Sequence, residues 1–218
     1  MKRLVWIAML LLVVGGSSTA FAQYDPKAKA ILDKVSENYR SVDAFKAHYT
    51  RSIESPSGEV YASMDGEIVV QGPKFNLKME DQEIISDGKV VWAYMRDANE
   101  VNISNYEPTE DEITPTKIYT LYENGYKYAL MSELKDKNGD IIQTIDMEPE
   151  DRRSEVAKIR LMVNKKDSTV RKWIVFERGT NNRQIFEINK YDPNINVTND
   201  TFTFNKSSHP GVNEVDLR

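Results

Sequence analysis

The residues that could carry catalysis are few and widely separated. The chain of 218 residues holds two histidines, His48 and His209, and no cysteine. Nucleophilic catalysis needs an activated serine or cysteine beside a base, and the chain has neither a cysteine nor a Gly-x-Ser-x-Gly elbow. His48 falls on the polar side of an alternating segment and His209 precedes Pro210-Gly211, so both read as surface or turn residues rather than bases. Zinc needs three or four clustered ligands, and two histidines 161 positions apart do not suggest them. No metal is expected. No cofactor is expected either, because the chain has neither Gly-x-Gly-x-x-Gly nor a Walker pattern. Carboxylates are numerous enough for a glycosidase pair, but the densest group, Glu107, Glu110, Asp111 and Glu112, reads as a solvated loop. A secreted carboxylate-dependent hydrolase is therefore the weakest of the readings carried forward.

The elements that organise the chain lie in residues 66–94. Phe75, Leu77 and Met79 alternate with Lys74, Asn76, Lys78 and Glu80, the period-two pattern of a strand with one apolar face. Asp87-Gly88 between two apolar runs is a hairpin signal. A two-residue turn there would pair Ile85 with Val90 and Ile84 with Val91.

Met1-Lys2-Arg3, the apolar run 4–14 and Ala20-Phe21-Ala22 have the form of a cleavable secretory signal, with an apolar core too short to span a bilayer. Residues 1–22 are expected to be removed, leaving one domain at 23–218. The formal net charge of −5 becomes −7 without Lys2 and Arg3, which argues against nucleic acid as a partner. An exported chain without cysteine must rely on its buried core in place of disulfides.

Along the chain, Asp25-Pro26 opens an amphipathic helix carrying Ile31, Leu32, Val35 and Tyr39 on one stripe. Strands are expected at 44–53 and 59–71, followed by the organising block and a polar connection through Asn99, Asn102 and Asn105. Thr114-Pro115 reads as the start of a short helix striped by Ile118, Leu121 and Tyr122 and stopped at Gly125. Its stripe could pack on a core or cover a cavity. Strands then follow at 126–134, 141–147, 156–164, 170–177, 184–190 and 201–204, a spacing typical of a sandwich or barrel. Tyrosines around the short helix and methionines over the strands fit either plain core or a lipid-lined cavity.

Taken together, the helix ILDKVSENYRSVDAFKAHYT, the block GEIVVQGPKFNLKM, the hairpin SDGKVVWAY and the closing FTF and PGV resemble the outer-membrane lipoprotein carrier family, the LolA-like periplasmic chaperones. The resemblance implies a mainly β fold with a few helices, a curved antiparallel incomplete β-barrel with a helical lid over a hydrophobic cavity. It places Phe75, Leu77, Met79, Trp92, Tyr94 and Leu161 in an acyl-chain cavity and Ile31, Val35, Ile118, Leu121 and Tyr122 in the lid. It implies a monomer in the periplasm that takes triacylated lipoproteins from an inner-membrane ABC-type release complex and delivers them to an outer-membrane receptor. One position departs from the family pattern: Gly72 stands before Pro73, where many members carry an arginine that holds the lid shut. A lipoprotein-sensing signalling domain of similar shape is the main alternative.

Overall fold

The computed structural model describes residues 24–108 and 116–218. The expected signal, Glu110, Asp111, Glu112, Thr114 and Pro115 lie outside the described residues. Helix α1 (Pro26–Arg40) starts where the sequence predicts: the Asp25 carboxylate accepts from the Lys27 N–H, and Pro26 occupies the first turn. Its start is fastened to the sheet, since the Asp25 N–H donates to the Tyr128 carbonyl at 3.2 Å and the Asp25 carboxylate accepts from the Leu130 N–H at 3.0 Å. Ala28, Leu32 and Val35 form its buried stripe.

Among the described residues twelve strands form one sheet: β1 (Phe45–Glu54), β2 (Val60–Gln71), β3 (Lys74–Met79), β4 (Gln82–Ser86), β5 (Val90–Met95), β6 (Glu100–Asn105), β7 (Tyr126–Lys135), β8 (Ile141–Pro149), β9 (Val156–Asn164), β10 (Val170–Glu177), β11 (Arg183–Pro193) and β12 (Asn213–Asp216). Their order is β12-β6-β5-β4-β3-β2-β1-β11-β10-β9-β8-β7, antiparallel except for the β12–β6 pair. The two end strands do not pair with each other, so the barrel is incomplete, as expected, and α1 packs over one face.

Cross-strand partners share a face, so the register carries one inner face through the sheet. It holds Phe75, Leu77 and Met79 on β3, Ile68 and Val70 on β2, Phe45, Ala47 and Tyr49 on β1, and Phe186 and Ile188 on β11. It continues through Trp173, Leu161 and Ile145 to Leu130. Gly66 lies opposite Tyr49 in this face, and a Cβ there would sit 2.5 Å from the phenol ring. Gly66→Ala must displace the ring, and a loss of about 1–3 kcal/mol in urea unfolding is expected. Unchanged stability would mean that the ring is not held by its neighbours.

Several sequence expectations are corrected. The β4–β5 connection is longer than two residues: Ser86 pairs with Val91, Ile85 with Trp92 and Ile84 with Ala93. The Asp87 carboxylate accepts from the Lys89 and Val90 N–H groups, both at 2.8 Å, so side chains hold amides that a tight hairpin would pair across strands. The polar connection after Tyr94 contains β6, with Val101 and Ile103 buried. The helix expected after Thr114-Pro115 is, in its described part, a run of turns ending in the 3-10 turn Leu121–Glu123. The strand expected at 201–204 is instead the 3-10 turn Asn199–Phe202 and its exit, and the tail supplies β12.

Candidate functional site

The inner face divides into two halves. Under α1, Leu32 and Val35 meet Ile118, Leu121 and Tyr122 from the turn segment and Tyr128, Ile145, Ile159 and Leu161 from the sheet. Ile31 packs at the edge of this cluster. Val35, Ile145 and Ile159 are 0 % exposed and Leu161 is 1 %, so this half is packed solid. The other half, built from Phe45, Ala47, Tyr49, Ile68, Val70 and Phe75, meets α1 only through Tyr39 among the described residues, and Leu77, Ile84, Phe186 and Ile188 lie half-buried along it. Tyr39 joins the two halves, stacking on Tyr119 at 4.9 Å and meeting Phe45 and Tyr191 edge-on. Burial raises the pKa of Tyr39 and of Tyr119, so both remain neutral phenols.

A cleft of about 420 Å³ opens at this junction, lined by Tyr39, Val42, Phe45, Val70, Gly72 and Tyr119, within the size range of ligand pockets. Gly72 has φ +55° and open space around it, and as a glycine it sends no side chain across the cleft. The contacts that hold α1 to the turn segment come from elsewhere. Arg40 donates to both Glu123 carboxylate oxygens at 2.7 and 2.9 Å, and the Tyr122 hydroxyl donates to Asp33 at 2.9 Å. Burial, followed by the Asp33 carboxylate, pushes Tyr122 up to about 12, while the Lys29 ammonium beside Asp33 lowers the Asp33 carboxyl.

The sequence-predicted cavity residues do not all meet. Phe75, Leu77 and Met79 share the inner face, and Leu161 lies on the same face under α1. Trp92 and Tyr94 do not: Trp92 pairs with Ile85 and Tyr94 with Glu83, which places both on the outer face. There they pack with Val101, Ile103, Val212 and Phe204 beneath the C-terminal segment. The inner face also contains residues that the sequence reading did not single out, namely Val42, Ile84, Phe186, Ile188 and Tyr191. The alternation of Phe186 with Ile188 was a usable signal, although only the register shows which face they join. His48 lies part-exposed on the outer face 3.5 Å from Glu67, and His209 stacks on Phe204 at 4.6 Å. Among the described residues no cluster of three histidine, cysteine or acidic groups is placed to hold a metal. No helix among them is long and apolar enough to cross a membrane.

Among the described residues, then, the protein is an open sheet with one apolar face and one α-helix packed over half of it. The family model described as outer membrane lipoprotein carrier protein LolA matches residues 40–205, and the chain belongs to that family. An outer-membrane lipoprotein carrier protein of Actinobacillus succinogenes is 26% identical over 126 residues, covering 50% of this chain. The match spans 61% of that relative's length. Among solved structures, an uncharacterized conserved protein of Thermus thermophilus is similar at a TM-score of 0.59 and 12% identity, covering 87% of this chain and 99% of that one. A LolA superfamily protein of Nitrosomonas europaea is similar at a TM-score of 0.43 and 12% identity, covering 81% and 97%.

Proposed function

We propose that the protein is a periplasmic, monomeric carrier that holds the acyl chains of triacylated lipoproteins on its inner face. It would receive them from an inner-membrane ABC-type release complex and pass them to an outer-membrane receptor, without a cofactor and without catalysing a reaction. The observation that carries this reading is the inequality of the two halves: one is sealed under α1, and the other offers half-buried Leu77, Ile84, Phe186 and Ile188 along the inner face. Each buried CH₂ contributes about 0.8 kcal/mol, so exposing a chain of roughly 16 carbons to water costs on the order of 13 kcal/mol. Cargo must therefore pass directly from one apolar site to another. Native mass spectrometry of the delipidated protein mixed with a triacylated lipopeptide tests the reading. A one-to-one adduct is expected, and its absence at saturating lipopeptide would overturn the proposal.

Access to the sealed half requires α1 to part from the turn segment, and the Arg40–Glu123 pair opposes that movement. Arg40 is 57% and Glu123 33% exposed, so the pair contributes only about 0–1 kcal/mol to stability. Arg40→Met is expected to leave the melting temperature nearly unchanged and to speed amide hydrogen exchange in α1 and residues 116–123 several-fold. An unchanged rate would show that the pair does not control access.

A further inference from the structure

One row of the inner face breaks its apolar pattern. Leu161, Trp173, Phe186, Arg51 and Met64 lie side by side on β9, β10, β11, β1 and β2, each opposite the next. Among the described residues Arg51 is the one charged side chain on the inner face of β1 to β4. It flanks the Phe186 ring, with its guanidinium carbon 5.9 Å from the ring centroid. On the other side of Phe186, Trp173 stacks with centroids 4.7 Å apart and planes at 10°.

Both neighbours of Phe186 carry N–H groups without enough acceptors. The Trp173 indole nitrogen is buried with no hydrogen-bond partner. Arg51 has five N–H donors to place, and among the described residues its side chain makes one bond, to Gln184 Oε1 at 2.9 Å. No carboxylate among the described residues lies within ion-pair distance of it. The nearest link to an acid runs through Gln184, whose amide nitrogen donates to Glu177 at 2.7 Å. A wholly uncharged acyl chain laid over this row would strip water from the part-exposed Arg51 cation while offering it no acceptor, which is unfavourable. A group bearing negatively charged oxygens removes that penalty with charge-assisted hydrogen bonds.

We infer that this row is a head-group site, and that the inner face takes acyl lipids whose head carries an anion, received by Arg51 while the chain runs over Phe186 and Ile188. The inference rests on the reading of the inner face as an acyl-chain surface and extends it from the chain to its head.

Displacement of the neutral fluorophore N-phenylnaphthylamine by three ligands with the same lauroyl chain separates the two ideas. Dodecanoate carries a carboxylate, lauroyl-glycerophosphate a phosphate, and monolaurin an uncharged glycerol. At least one anionic ligand is expected to displace the probe at about tenfold lower concentration than monolaurin, and the tighter of the two identifies the head chemistry. Arg51→Met is expected to abolish the preference, with monolaurin displacing the probe at equal or lower concentration than in the wild type, and Arg51→Lys to retain part of it. A melting curve confirms that each variant is folded. Equal displacement by all three ligands in the wild type, or a preference that survives in Arg51→Met, overturns the head-group site and leaves the acyl surface standing. If none of the three displaces bound probe, the acyl surface itself fails and the head-group site with it.

Discussion

Leu161→Ala is expected to lower the free energy of unfolding by about 2–5 kcal/mol, the range for deleting a large aliphatic side chain from a packed core. Leu161 is 1 % exposed and sits between Ile145 and Trp173 across the strands, in the cluster closed from above by α1. Its neighbours Ile145 and Ile159 are 0 % exposed, and they hang from a hydrogen-bonded sheet that cannot collapse around the void. Leu77→Ala, at a half-buried position on the open half, is expected to cost far less. Urea unfolding with matched slopes measures both. A cost below about 1 kcal/mol for Leu161→Ala would show that the α1 half is loose in solution, and the acyl surface would then extend beneath the helix.

The sequence made the strands and α1 legible because their physics is local. Asp25-Pro26 starts α1 with its own side chain and ring, and alternation in β3 and β9 follows from the two-residue repeat alone. Alternation does not say which face is which. Trp92 and Tyr94 lie in a strand apolar on both sides, and their side is covered by a segment far along the chain: the Asn76 amide donates to the Thr201 carbonyl at 2.9 Å, and Phe204 meets the Tyr94 ring at 5.6 Å. That separation in sequence is far beyond the reach of any local pattern. The same segment explains why β6 was missed, since Val101 and Ile103 alternate with polar residues toward a cover that the sequence does not reveal. In the turn segment, β-branched Thr116, Ile118 and Thr120 weaken a helix, and Gly125 at φ +71° ends it after one 3-10 turn. The stripe of Ile118, Leu121 and Tyr122 survives this shortening, because tertiary packing under α1 holds those side chains in place. Arg51 could not be found from sequence at all, because its significance comes only from the register that sets it beside Phe186.

Leu77→Glu is expected to abolish uptake of an apolar probe while leaving a folded protein. Leu77 faces the same side as Phe75 and Met79, pairs with Ile68 on β2 and Ile84 on β4, and is only half-buried. In the empty protein a carboxylate at this position can turn toward water, so the folded state loses little beyond the leucine's partial packing. Once acyl chains or a probe cover the open half, the same carboxylate is buried among apolar groups without a cationic partner, which costs several kcal/mol. A penalty of about 4 kcal/mol corresponds to roughly a thousandfold weaker binding, which is loss of detectable uptake in a fluorescence titration. Melting temperature and probe uptake, measured on the same preparation, separate the outcomes. A folded variant that still takes up probe would remove Leu77 from the binding surface. Failure to obtain folded protein would make position 77 core like Leu161, and the open half would then have to be sought on β11 and β1, where Phe186 and Ile188 lie half-buried.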